Sequence, residues 1–256
     1  KVMRDQVKKA LLHPVLLRLD VSIFILHAVL TGCFTALPSL LLNSGLEADL
    51  HGWVYAPVMI VAFILMIPLV IIAEKKHKMK GLQLFCFALL MLSQVLLAFA
   101  SSSMWMIIFT ILLFFVAFNY MEATLPSWLS KMAPAGAKGT AMGLFSTSQF
   151  AGAAFGGIFA GWILQNFDAQ YLFLALAGLL AVALWVAWLG EKPVAMQNTM
   201  FNADINNQHD ANAMTKALLE IDGVFDALVV VDEQAVYLKV AKAQVDYEQV
   251  HKILLA

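Results

Sequence analysis

The sequence predicts a membrane-embedded, all-α unit of six spanning helices followed by a small soluble α+β domain of order βαββα. Three observations carry that expectation. Hydrophobic residues make up 62% of the 256-residue chain and charged ones 13%, against roughly 45–50% and 25% in ordinary soluble domains. Six apolar runs, at 19–42, 53–73, 81–100, 104–130, 142–164 and 170–189, each approach the ~20 residues an apolar helix needs to cross a bilayer. After LGEKP, residues 189–193, the composition turns polar and acidic to the end.

The six runs are too long for strands and lack a two-residue alternation, so helices are the remaining reading. Pro38, Pro57, Pro68 and Pro126 fall in or near them, and each removes a backbone donor and can kink or break its helix. Cys33 and Cys86 both lie in apolar runs, where free buried thiols are expected and a disulfide framework is not. Beyond the sixth run the pattern predicts a strand at 199–205 and a helix at about 210–220 capped by Asp210 and stopped by Gly223. A strand VFDALVVVD, a tight turn at Glu233 and Gln234, a strand AVYLKVA and a helix from about Val245 to Leu255 complete it. The expected division is 1–18 as a cytoplasmic loop, 19–190 as the membrane unit and 194–256 as the soluble domain.

Lysine and arginine set the expected orientation. Lys1, Arg4, Lys8, Lys9 and Arg18 precede the first run; Lys75, Lys76, Lys78 and Lys80 follow the second; Lys131 and Lys138 follow the fourth; Lys192 follows the sixth. The connections NSGLEADLH, SSS and QNFDAQ carry none. Positive loops stay on the cytoplasmic side, so both ends of the unit are expected there and the number of spans must be even. The formal net charge of -1 gives no basis for a nucleic-acid partner; the bilayer is the expected one.

Polar residues inside the runs are the functional candidates, because a charge at bilayer depth costs several kcal/mol even on lenient scales. Glu122 lies in the fourth run and His27 in the first, each ~12 Å from the cytoplasmic end at ~1.5 Å per residue. Asn119 shares the Glu122 face, while Thr31 and Thr35 follow His27 at helical spacing. Gly152, Gly156, Gly157 and Gly161 form small-xxx-small spacings that let helix backbones approach closely in lipid. Glu74 sits at the C-terminal end of the second run, where the helix dipole disfavours an anion, so something must offset it: Lys75, Lys76 and Lys78 are the local candidates, and a helix N-terminus outside this sequence is the distant one.

Two segments resemble a known family. The loop AEKKHKMKG, 73–81, looks like a degenerate acidic-then-basic loop motif, with Glu74 for the usual aspartate and His77 for a usual glycine. PSWLSKMAPAGAKGTAMGLFSTSQFAGAAFGGIFAGWI, 126–163, is similar to the fourth-to-fifth helix passage of a half transporter. Both are features of major facilitator transporters. The resemblance implies two three-helix repeats, a C-terminal half with residues 1–18 as the loop between halves, and an N-terminal six-helix half as partner upstream of Lys1. It implies Glu74, Lys75 and Lys78 as an inter-half gating loop, and a central cavity lined by the first helix of each repeat, hence by Glu122, Asn119, His27 and Thr31. The small domain, through LLEIDGVFDALVVV, resembles the ferredoxin-like fold of heavy-metal-associated domains. That family's cysteine pair is absent here; His209, Asp204 and Asp210 lie where it would sit and read as caps and surface, so no metal and no cofactor are expected.

The expected function is secondary active transport in a bacterial inner membrane, with Glu122 exchanging a proton for a small cationic or amphipathic compound in drug-efflux antiport. The small domain would regulate or assemble it. His27 is a hydrogen-bond partner or second proton site, histidine being the side chain that ordinarily titrates near neutrality. The alternative is a membrane-anchored sensor whose cytoplasmic domain binds a ligand. An enzyme is not expected, since the histidines are scattered and neither HExxH nor GxSxG occurs.

Overall fold

The computed structural model describes residues 13–76, 78–100, 103–133, 137–190, 196–203, 205, 207–231, 233–241 and 245–254. Lys1, Arg4, Lys8, Lys9, His77, Lys192 and Asp204 lie outside these residues. Six long helices come first: α1 (Pro14–Asn43), α2 (His51–Lys75), α3 (Met79–Phe99), α4 (Met104–Met132), α5 (Lys138–Asn166) and α6 (Ala169–Leu189). Each contains one expected run, apart from a residue where the third run overshoots α3, and most extend past it by a few residues. Five, counting the short 3-10 turn Ala48–Leu50 with α2, are long and apolar enough to cross a membrane by length and composition. The sixth, α5, has the length at 29 residues, but its glycine, serine, threonine and glutamine content dilutes its hydropathy.

None of the four prolines breaks its helix. Pro38 lies inside α1, Pro57 and Pro68 inside α2 and Pro126 inside α4. The helix ends have local causes instead. At the end of α1, Gly45 takes φ +91; Gly45 N–H donates to Leu42 O at 3.0 Å and Leu46 N–H to Leu41 O at 3.1 Å, the paired bonds of a Schellman stop, which favours glycine at its left-handed position. At the end of α6, Lys80 from α3 donates its ammonium to Trp188 O at 2.9 Å and also to Gly190 O. A cation there satisfies carbonyls that the helix itself leaves unpaired.

Packing divides the chain into two units. One comprises Leu17–Ser127 and Gly143–Lys192; the other gathers the described parts of Lys1–Leu16, Trp128–Met142 and Pro193–Ala256. The end of α4 and the start of α5 thus group with the small domain. Lys239 is one reason, since its ammonium donates to Ala133 O just past α4. Lys239 is buried and held down at about 8, first by desolvation. His13 is likewise held below its ordinary value, by burial first and by the charge of Lys239 second.

The small domain runs β1 (Met196–Asn202), α7 (Gln208–Leu219), β2 (Val224–Val230), β3 (Ala235–Ala241), α8 (Tyr247–Leu254), the expected βαββα order. Its sheet has the order β1-β3-β2, antiparallel throughout, with Thr199 opposite Leu238 and Ala227 opposite the same residue from the other side. Ala211, Leu218, Val224, Ala227, Val229, Val236, Leu238, Val240 and Val250 form one buried core. Three local readings are corrected. The first strand runs Met196–Asn202 rather than 199–205, because its pairing with β3 extends from Ala241 to Ala235. The cap of α7 is Asn207, whose Oδ1 accepts Asp210 N–H at 2.9 Å, so Asp210 stands inside the first turn. Gly223, at φ +85, shapes the turn into β2 after the helix has ended. Gln234 accepts Ile205 N–H and donates to Ile205 O, both at 2.8 Å, tying the hairpin turn to the segment before α7.

Candidate functional site

His27, Glu122 and Gln149 meet inside the membrane unit, one each from α1, α4 and α5. With its proton on Nδ1, the His27 ring donates to Ile23 O one turn back, at 3.3 Å, which leaves Nε2 as an acceptor. The Gln149 amide nitrogen stands 2.9 Å from that Nε2 and 3.2 Å from Glu122 Oε1. One –NH2 group therefore serves two acceptors on two other helices. Glu122 Oε2 makes no hydrogen bond among the described residues; at 3.6 Å from His27 Nε2 it is at ion-pair distance should the ring be charged. The edge of Phe118 packs on the His27 ring, centroids 5.6 Å apart, and the His27 side chain is only 11% exposed against 39% for Glu122. Glu122 is the more exposed residue of the pair, although its Oε2 is buried.

The backbone contact beside the cluster explains how α1 and α5 come so close. A Cβ on Gly152 would overlap the Phe24 carbonyl, and one on Gly156 the Ala28 carbonyl and the Thr31 hydroxyl. Gln149, Gly152, Ala153 and Gly156 share one face of α5 by helical phase, so the close approach and the amide belong to the same stripe. Thr31 is placed at this contact, its hydroxyl directed to His27 O at 2.9 Å and Ala153 O at 2.8 Å. Gly157 and Gly161 are not, since a Cβ on either would meet nothing within 4 Å. They are turned away from α1 by the rotation per residue, so the packing expected of them is not made among the described residues.

The remaining candidates are apart from the cluster. Asn119 is half-buried one turn before Glu122, and Thr35 hydrogen-bonds back to Thr31 O at 2.8 Å. Glu74 and Lys75 close α2 and Lys78 precedes α3, all three exposed. In the small domain His209 and Asp210 are exposed neighbours 3.9 Å apart, and among the described residues no group of three or more His, Cys, Asp or Glu is arranged to hold a metal ion. Gln149 is the residue that sequence reasoning passed over. It sits in STSQFAGAAFGG, three residues before Gly152; a polar side chain on the glycine face was the available signal.

Five helices long and apolar enough to cross a membrane, a sixth of similar length, a polar cluster across three helices and a glycine contact between two fit a polytopic membrane protein. The chain belongs to the Major Facilitator Superfamily, whose sequence profile matches residues 8–220. Among curated relatives it is 41% identical over 239 residues to the inner membrane transport protein YajR of Escherichia coli K12, covering 93% of this chain and 52% of the relative. It is 28% identical over 145 residues, 57% of this chain and 37% of the relative, to the uncharacterized transporter BU466 of Buchnera aphidicola from Acyrthosiphon pisum. A Buchnera aphidicola transporter from Baizongia pistaciae is 26% identical over 161 residues, 60% of this chain and 39% of the relative. The chain spans about half or less of the length of these relatives.

Proposed function

We propose that this chain is the C-terminal half of a proton-coupled secondary transporter that exports small cationic or amphipathic compounds, and that Glu122 carries the exchanged proton. The observation behind this reading is the cluster itself. Interhelical hydrogen bonds between spanning helices contribute only about 0.6 kcal/mol each on average, and the Gly152 and Gly156 contact already brings α1 and α5 together. A carboxylate at this depth costs several kcal/mol, more than its hydrogen bond to Gln149 returns. Structure alone is a poor reason to keep an acid there, whereas titration in a transport cycle requires one. The unpartnered Oε2 of Glu122 and the imidazole within ion-pair reach supply a proton site and a second base.

The same reading assigns the inner membrane of a bacterium, as the name of the YajR relative suggests, with the lysine-bearing ends on the cytoplasmic side. Glu74, Lys75 and Lys78 form the gating loop against an N-terminal half, and the βαββα domain regulates or assembles the transporter. The test is proton-coupled flux in proteoliposomes of the full-length protein, with ethidium as the amphipathic cation and an internal pH dye. Glu122→Gln keeps size and hydrogen-bonding capacity and cannot titrate, so ethidium should still bind while proton release on its addition is lost. Glu122→Asp should retain part of the coupling. Undiminished coupling in the Gln variant would remove Glu122 from the proton path.

A further inference from the structure

We infer that Gln149 is a positioning residue whose amide changes partners when a proton reaches the His27–Glu122 pair, moving the polar contact of α1 from α5 to α4. The inference rests on the transport reading of the same cluster. Its basis is a count of donors and acceptors. Gln149 offers two N–H groups; His27 Nε2 and Glu122 Oε1 accept one each, while His27 Nδ1–H is engaged by Ile23 O. With an uncharged ring and an ionised carboxylate both amide N–H groups and both ring nitrogens are engaged, and Glu122 Oε2 alone is left without a hydrogen-bond partner among the described residues.

Two arrivals are possible, and both break the same bond. A proton on His27 Nε2 sets N–H against the Gln149 N–H at 2.9 Å. Turning the amide over would set its carbonyl oxygen against the ionised Glu122 Oε1, where the amide nitrogen now stands at 3.2 Å, so the amide withdraws, and the new Nε2–H has Glu122 Oε2 as an ionic acceptor, 3.6 Å away before any movement. A proton on Glu122 Oε2 faces the lone pair of Nε2 across the same gap, and the carboxylic O–H competes for it with the amide. In each case one proton is bound, no covalent bond of the protein is broken, and the Gln149–His27 bond is lost in favour of a His27–Glu122 bond. The contact of α1 with α5 is left to Gly152, Gly156 and the Thr31 hydroxyl. The titratable groups at the amide are His27 on α1 and Glu122 on α4, and the Phe118 ring of α4 packs on His27. Asp20, seven residues before His27 and so on its side of α1, is buried with Oδ1 unpartnered among the described residues and is the further acid that a proton can visit.

The experiment follows the α1–α5 distance in the full-length protein in lipid nanodiscs. Spin labels go on the exposed positions Leu42 and Ile158, with Cys33 and Cys86 replaced by alanine, and distance distributions are recorded at alkaline and acid pH. The parent should change distribution with pH. Gln149→Met, which keeps the side chain's length and has no N–H to offer, should give one distribution at both pH values. Gln149→Asn, with the amide on a shorter stem, should recover a reduced response. A Gln149→Met response equal to the parent's, or no response in the parent, overturns the inference. If flux coupling is lost in Glu122→Gln while Gln149→Met keeps the parent's pH response, the transport reading stands and the role of Gln149 falls. If Glu122→Gln retains coupling, the transport reading fails on its own ground.

Discussion

Gln149 of α5 places its amide nitrogen 2.9 Å from Nε2 of His27 of α1, across a sequence separation of 122 residues. That bond exists because the two helices touch at backbone distance at Gly152 and Gly156. A longer side chain at either glycine would hold the amide out of reach.

Gly156→Ala should therefore be costly although alanine is the better helix former. The added methyl meets the Ala28 carbonyl and the Thr31 hydroxyl, and overpacking of this kind costs about 1–3 kcal/mol. Gly157→Ala, with nothing near its new methyl, should be neutral or stabilising by up to about 1 kcal/mol. Thermal unfolding of the two variants in the same detergent provides the comparison, and equal melting temperatures would contradict the α1–α5 contact.

The cap of α7 predicts a local effect in the small domain. Asn207→Ala removes the acceptor for Asp210 N–H and should destabilise the domain by about 1 kcal/mol. Asp210→Ala should do less, because Asp210 lies inside the first turn and contributes only through the helix dipole. Hydrogen exchange of the α7 amides distinguishes them; a larger effect at 210 would restore Asp210 as the cap.

Lys239 predicts a pH dependence with a definite sign. Burial lowers it from 10.5 to about 8, so between those values the unfolded chain binds the proton that the folded one has released. Stability should rise as pH increases from about 8 towards 10.5, level off above that window, and be lowest below about 8, where both states hold the proton. Lys239→Met should flatten the curve there. The measurement is the melting temperature of the small-domain transition across this range in both proteins, and a parallel curve in the variant would rule out Lys239 as the source.

Orientation is tested by labelling. Single cysteines at Ser44 and Gln165, at the ends of α1 and α5, should react with an impermeant thiol reagent in intact cells. Cysteines at Lys76 and Lys138 should react only after permeabilisation. Labelling at the lysine-bearing positions alone would invert the assignment.

Six helices were legible in the sequence because each is a run of apolar residues, and a bilayer demands of such a run only length and hydrogen bonds within the segment. The βαββα order was legible for a similar local reason: AVYLKVA is a strand over Ala235–Ala241 as read, since a short apolar run and the turn before it are written in neighbouring residues. His27 and Glu122 were picked out as expensive groups at matched depth, which needs only the rise per residue. What the sequence by itself left undetermined was everything that depends on which face meets which helix. Gly157 and Gly161 read like Gly152 and Gly156, yet only the latter two face α1, because small-xxx-small spacing fixes a stripe and not its partner. Thr31 read as a pathway residue, and its hydroxyl is directed to the α5 backbone. Gln149 carried no charge to draw notice, and its importance lies in one amide reaching two helices distant in the chain. Only the tertiary structure decided that, since the bond depends on three helices arriving at one point.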